Sequence, residues 1–200
     1  SSLVTVAFPS ANTAGNVRLA AWARNYTGGA STVVDSAGNL WTKHSSGRTS
    51  DNIQLFNWYV LGCAGSTNRV TWRHSSGTAS RLGLCIFEYS GLSSTLAPDT
   101  TAYSTGSSTQ AISWTIQTTQ TDELLFGSAI KDGATVAFST ANGFNNLIQN
   151  STGRIAAAGR IVSAIASTYR AIFNISSQTN STWGCRVISY RAPAAAGADY

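Results

Sequence analysis

The residues of this 200-residue chain best suited to hold a ligand are Trp22 with Arg18 and Arg24, then Trp41, and Asn57 with Tyr59. In the stretch VRLAAWAR, Val17, Leu19, Ala21 and Ala23 form one phase of an alternating strand, while Arg18, Ala20, Trp22 and Arg24 form the other. An indole flanked by guanidinium groups on one strand face can stack on a sugar ring and direct hydrogen bonds to its hydroxyls. Trp41, just after the turn DSAGN, and the pair Asn57 and Tyr59 extend this candidate ligand platform.

Acid–base chemistry has less to work with. A glycoside hydrolase on a β-sandwich uses two carboxylates about 5–10 Å apart. The chain has 8 acidic residues, of which Glu88 in FEYSG and Glu123 in TDELLFG stand out. One falls at a strand end and the other at a strand start, positions that favour charges capping loop amides. No catalytic residue is assigned, and the chain reads as a non-enzyme. Asp35-Ser-Ala-Gly-Asn39 reads as a tight turn with Gly or Asn at positive φ. A structural calcium held by its loop carbonyls is the one ion left open, and no other metal or cofactor is expected. His44 and His74 lie far apart and no Cys-x-x-Cys pair occurs, which argues against zinc. Cys63, Cys85 and Cys185 permit at most one internal disulfide or serve as buried free thiols.

Short apolar or alternating runs separated by Gly, Ser, Asn and Asp must position these residues, the pattern of an all-β protein. Strands are expected near 3–8, 17–24, 32–35, 40–45, 53–61, 68–74 and 81–90, and again near 110–117, 123–131, 134–139, 144–149, 154–164, 169–176 and 183–191. Residues Ser66 to Tyr89 are echoed by Ser167 to Tyr190 at a constant offset of 101. The expected fold is a jelly-roll-like β-sandwich of about fourteen strands built from two pseudo-repeats, with two tandem seven-strand sandwiches as the alternative. One domain over 1–192 is expected, with halves near 1–92 and 108–192, and 193–200 as a linker or tail. The joint SSTLAPDTTAYSTGSS reads as a linker or long crossover.

Strand phase sorts core from surface. Trp58, Trp72, Trp114 and Trp183 are expected inside, His74 half-buried, and Arg69, Thr71 and Arg73 on the solvent side.

Composition narrows the partners. Charged residues make up 10% of the chain, against about 25% in an average soluble domain. Ser and Thr supply about a quarter, giving a neutral, hydroxylated surface. The net charge is +5, but the arginines are dispersed and no nucleic-acid motif accompanies them, so nucleic acid is not an expected partner. No segment is apolar enough to span a membrane. The chain opens on Ser1 without Met, which fits a processed chain, and its Ala-rich tail fits a module of a longer protein.

NTAGNVRLAAWAR followed by VVDSAGNLWTK, then FEYSGL, then TTQTDELLFGSAI resembles a family of poorly characterised secreted β-sandwich modules in large bacterial extracellular proteins and some phage-associated proteins. The resemblance spans nearly the whole chain and rests on turn and strand motifs. It implies a secreted, extracellular adhesive or carbohydrate-binding unit attached to other domains. The first expectation is therefore a non-catalytic module that binds a glycan or cell-surface polysaccharide through Trp22, Trp41 and Tyr59, supported by Arg18, Arg24 and Asn57. A structural subunit of an extracellular or virion-associated assembly, self-associating through strand edges, comes second. A glycoside hydrolase or lyase comes third.

Overall fold

The computed structural model describes residues 2–25, 31–48, 53–66, 68–74, 82–133, 135–150, 154–176 and 182–193; the side chains of 2, 22–25, 45, 46, 48 and 74 are outside that description. The described chain is all-β, with 17 strands and no helix. Seven come from the first half: β1 (Ser2–Ala7), β2 (Val17–Asn25), β3 (Ser31–Asp35), β4 (Thr42–Arg48), β5 (Ile53–Val60), β6 (Arg69–His74) and β7 (Gly83–Tyr89). Then follow β8 (Thr101–Gly106), β9 (Gln110–Ile112), β10 (Ile116–Gln117), β11 (Glu123–Lys131), β12 (Phe138–Thr140) and β13 (Asn145–Asn150). β14 (Ile155–Val162), β15 (Thr168–Tyr169), β16 (Ile172–Ile175) and β17 (Trp183–Arg191) complete the set.

All pairings are antiparallel. The first half forms one sheet in the order β1-β6-β3 and another in the order β4-β5-β2-β7. The second half forms β9-β16-β12 and β13-β14-β11-β17-β8, with a two-stranded ladder of β10 and β15 beside them.

Three apolar cores join these sheets into a β-sandwich-like stack of four layers. Val33, Val70 and Trp72 of β1-β6-β3 meet Ala20, Phe56, Trp58, Leu84 and Ile86 of β4-β5-β2-β7. The other face of that second sheet, through Leu19, Ala21, Leu55, Cys85 and Phe87, packs on Leu124, Phe126, Ile155 and Ile188 of the five-stranded sheet. The far face of the five-stranded sheet, through Leu125, Ala129, Ala158 and Val187, covers Ala111, Phe138 and Phe173.

The central strands of the two middle sheets are thus buried on both faces, and such strands lose the apolar–polar alternation that a half-wet sheet shows. β11, ELLFGSAIK, is buried from end to end. Trp58, Trp72 and Trp183 lie in the core as expected, at 9%, 0% and 6% exposure. Arg69 and Arg73 face solvent as expected, and Cys63, Cys85 and Cys185 are buried free thiols. Burial pushes the Cys85 thiol up to about 12, so it stays protonated and acts as a small apolar residue. Residues 194–200 of the expected tail, and the side chain of His74, lie outside the described residues.

The largest departure is β8, a strand where the sequence reads as a joint. It pairs with β17 along the edge of the five-stranded sheet, and its Tyr103 enters the gap between the middle sheets. Both Gly47 on β4 and Gly184 on β17 make room there, since a Cβ at either position would overlap the Tyr103 side chain. The Arg186 guanidinium lies 4.9 Å from the ring centroid.

Candidate functional site

The sequence-derived platform does not assemble. The side chains of Trp22 and Arg24 lie outside the described residues, and the others occupy different layers. Arg18 is fully buried, with its Nη1 3.1 Å from Asp35 Oδ2 and its Nη2 donating to the Ala64 carbonyl at 2.6 Å. Its strand face is covered by the β1-β6-β3 sheet, because Ala20 in the same phase belongs to the shared core. Trp41 is half-buried and donates from Nε1 to the same Asp35 Oδ2 at 3.0 Å. Asn57 points the opposite way, fully buried between the middle sheets, where its Nδ2 donates to Ser128 Oγ at 3.0 Å. Tyr59 packs edge-on against Tyr190 across that junction, with ring centroids 6.2 Å apart. Arg18 and Trp41 therefore converge on one carboxylate, and Asn57 and Tyr59 tie the two halves together.

Asp35 is the centre of a buried polar hub. Oδ1 accepts the Ala37 and Asn39 amides at 3.1 and 2.9 Å, forming the turn that Gly38 completes at φ +74°. Oδ2 accepts Asn39 Nδ2 and Asn68 Nδ2 at 2.8 and 3.2 Å besides Arg18 and Trp41. Burial alone would raise the Asp35 pKa, but the hydrogen bonds from Asn39, Asn68 and Trp41 outweigh it and hold the carboxyl below its usual range. Six donors aimed at its two oxygens commit the Asp35 carboxylate to the hub and take it out of the set of ligands that a calcium ion could use. Among the described residues no group of three or more His, Cys, Asp or Glu is placed to hold a metal.

Both glutamates cap loops. Glu88 accepts the Thr13 amide at 2.7 Å and the Asn16 side chain at 2.8 Å, and also binds Asn12 Nδ2. Burial pushes its pKa up, but these hydrogen bonds outweigh that and keep it low. A general acid needs the opposite shift. Glu123 Oε1 accepts the amides of Thr119 and Gln120 at 2.9 and 3.0 Å.

Among the described residues, the most exposed aromatic group is one the sequence placed inside. Trp114 is 70% exposed. Ile112 pairs with Ile172 and Ile116 with Tyr169, so residues 113–115 face only 170 and 171, a one-residue bulge. The bulge lets Ser113 and Ile116 both turn inward, at 3% and 5% exposure, while Trp114 turns out. Strict alternation had put Ile112, Trp114 and Ile116 on one buried face, and the extra residue breaks that phase. The backbone at the bulge is pinned: Ser113 N donates to Ala171 O at 3.0 Å, Ser113 Oγ accepts Ala171 N at 3.0 Å and donates to Trp114 O at 2.8 Å.

Trp114 lies just past the end of β9, where its ladder with β16 stops at Ile112 and Ile172, and exposed Arg170 precedes β16. Farther along β9 and β16, Gln110 Nε2 donates to Asn174 Oδ1 at 2.8 Å, and Asn174 Nδ2 reaches Ser139 Oγ at 3.3 Å. The Ile112–Ile172 pair separates this row of amides and hydroxyls from Trp114. Compared with protein-family models, with curated proteins and with solved structures, the chain matches none.

Proposed function

We propose that this protein is a non-catalytic extracellular carbohydrate-binding or adhesion module, and that the sugar stacks on Trp114. The observation that carries this is the exposed indole, held outward at a bulge just past the end of β9. An indole face matches the apolar C–H face of a sugar ring, and exposed Arg170 and the Gln110–Asn174 pair farther along β9 and β16 offer polar groups to the rest of a chain of sugars. The low pKa of Glu88 and the amide-capping role of Glu123 favour a binder over a hydrolase. Secretion and kinship with the extracellular modules named above belong to the same proposal.

The finer architecture also belongs here. The order β1-β6-β3 corresponds strand for strand to β9-β16-β12, and β4-β5-β2-β7 to β13-β14-β11-β17, with β8 added. This supports two copies of one unit within a single domain over 1–192. In the first copy the nested pairs β2–β7, β3–β6 and β4–β5 support a jelly-roll-like sandwich.

The test is binding of a panel of neutral and acidic polysaccharides, followed by Trp114 fluorescence and calorimetry. Trp114→Ala is expected to weaken the bound polysaccharide by about tenfold or more, the scale of an interface hot spot. Unchanged affinity in that variant, or a blank panel, overturns the proposal.

A further inference from the structure

We propose that the outer face of the β1-β6-β3 sheet binds an anionic polysaccharide through Arg69 and Arg73. This is a second site, at the opposite end of the four-layer stack from Trp114. Three inter-sheet spacings of about 10 Å separate the two faces by about 30 Å.

The register puts the relevant side chains on one surface. In β6, Val70 and Trp72 turn inward at 0% exposure, so Arg69, Thr71 and Arg73 turn outward. Leu3, Thr5 and Ala7 of β1 pair with Arg73, Thr71 and Arg69, and Thr32 and Val34 of β3 pair with Arg73 and Thr71 from the other side. Both arginines are exposed, and neither side chain makes a hydrogen bond or ion pair with a described residue. Arginine left without a carboxylate on a sheet face is an open bidentate donor for carboxylate or sulfate.

No described carboxylate neutralises this face. Asp35, the acidic residue of these three strands, is committed to Arg18 and its hub. Glu88 and Glu123 cap loops, Asp99 is 3.7 Å from Arg191, and Asp132 is 3.5 Å from Arg154. Arg69 and Arg73 thus stand on this face without a described acidic partner.

Charge spacing selects the occupant. Arg69 and Arg73 are four residues apart on one strand, about 13 Å at about 3.3 Å per residue. A nucleic-acid strand carries a phosphate about every 3.4 Å in a duplex and would set about four charges against two cations over that span. The outward residues include no aromatic ring on which a base could stack. A polysaccharide with a charge on only some of its rings matches the sparser spacing. Its hydroxyls also meet the Thr5 and Thr71 hydroxyls, which lie 2.9 Å apart between the arginines.

The experiment measures binding of the full chain to polygalacturonate, dextran sulfate, neutral dextran and a 20-base-pair DNA duplex over a salt series. Polygalacturonate and dextran sulfate distinguish carboxylate from sulfate recognition, and at least one is expected to bind, more weakly as salt rises. Arg69→Ala with Arg73→Ala is expected to reduce that binding at least tenfold with an unchanged melting temperature. Trp114→Ala is expected to leave it intact, which separates this site from the stacking site. Failure of both acidic polymers to bind, equal binding by the double variant, or tighter binding of the duplex than of either polymer overturns the proposal.

Discussion

The turn that follows β3 and the turn that follows β12 occupy corresponding places in the two halves, yet they are held by opposite means. In the first, Gly38 at φ +74° leads to Asn39, which donates to buried Asp35. In the second, Gly143 at φ +75° leads to Phe144, which is 5% exposed and inserts into the apolar core. The neighbouring strands follow suit. Arg18 pairs with Glu88 in the β2–β7 ladder, whereas Leu125 pairs with Ser189 in the β11–β17 ladder. Gly127 makes room for the aromatic plug, since a Cβ there would stand 2.9 Å from Phe144. One geometry can be closed by a saturated ionic hub or by packing, so charged residues on a strand need not mark a site for ligands.

Removing the hub's centre should have the largest effect. Asp35→Ala leaves Arg18, Asn39, Asn68 and Trp41 without their common acceptor, and breaking a buried ion pair typically costs about 3–5 kcal/mol. Chemical denaturation should show that loss. A destabilisation below about 1 kcal/mol would mean that the hub is replaceable and that the two turns differ in appearance only.

A second test probes the junction between the halves. His44 on β4 packs edge-on against Tyr59 at 6.4 Å, and its pKa is lowered to about 4 by burial and then by the Arg186 charge on β17. A depressed folded-state pKa means that the neutral form is favoured by folding. Its stabilisation is complete above the unfolded value of 6.5 and is lost as pH falls toward 4. Thermal melts should therefore decline across that window. His44→Gln should flatten the decline, by less than the loss from Asp35→Ala. An identical pH profile in the variant would place His44 outside the coupling between halves.

The contrast also shows what could be read from residues alone. β11 and β17 run over the expected 123–131 and 183–191, because long apolar runs bounded by polar turns leave little choice of ends. Glu88 and the DSAGN turn were equally legible, since capping and turn chemistry are local. Arg18, Asn57 and Tyr59 were misplaced because alternation assumes one wet face, and their sheet has none. β8 was hidden by Pro98 and its run of Ser and Thr, whose composition resembles a linker although Tyr103 docks between Gly47 and Gly184. Trp114 was hidden by a single inserted residue, visible only once the ladder register is known.

The smallest expected effect sharpens the comparison between buried and displayed tryptophans. Trp72, on the inner face of β6, is 0% exposed, and truncating such a side chain typically costs about 3–5 kcal/mol. Trp114 is 70% exposed, and its backbone is held by Ser113 and Ala171, not by the indole. Trp114→Ala should therefore change stability by no more than about 0.5 kcal/mol, the usual range for a surface substitution. A much larger loss would mean that the indole packs against the protein in solution, and the sheet face would then have no platform to offer a sugar. A neutral result leaves the ring without a structural task, which is the condition that a stacking site requires.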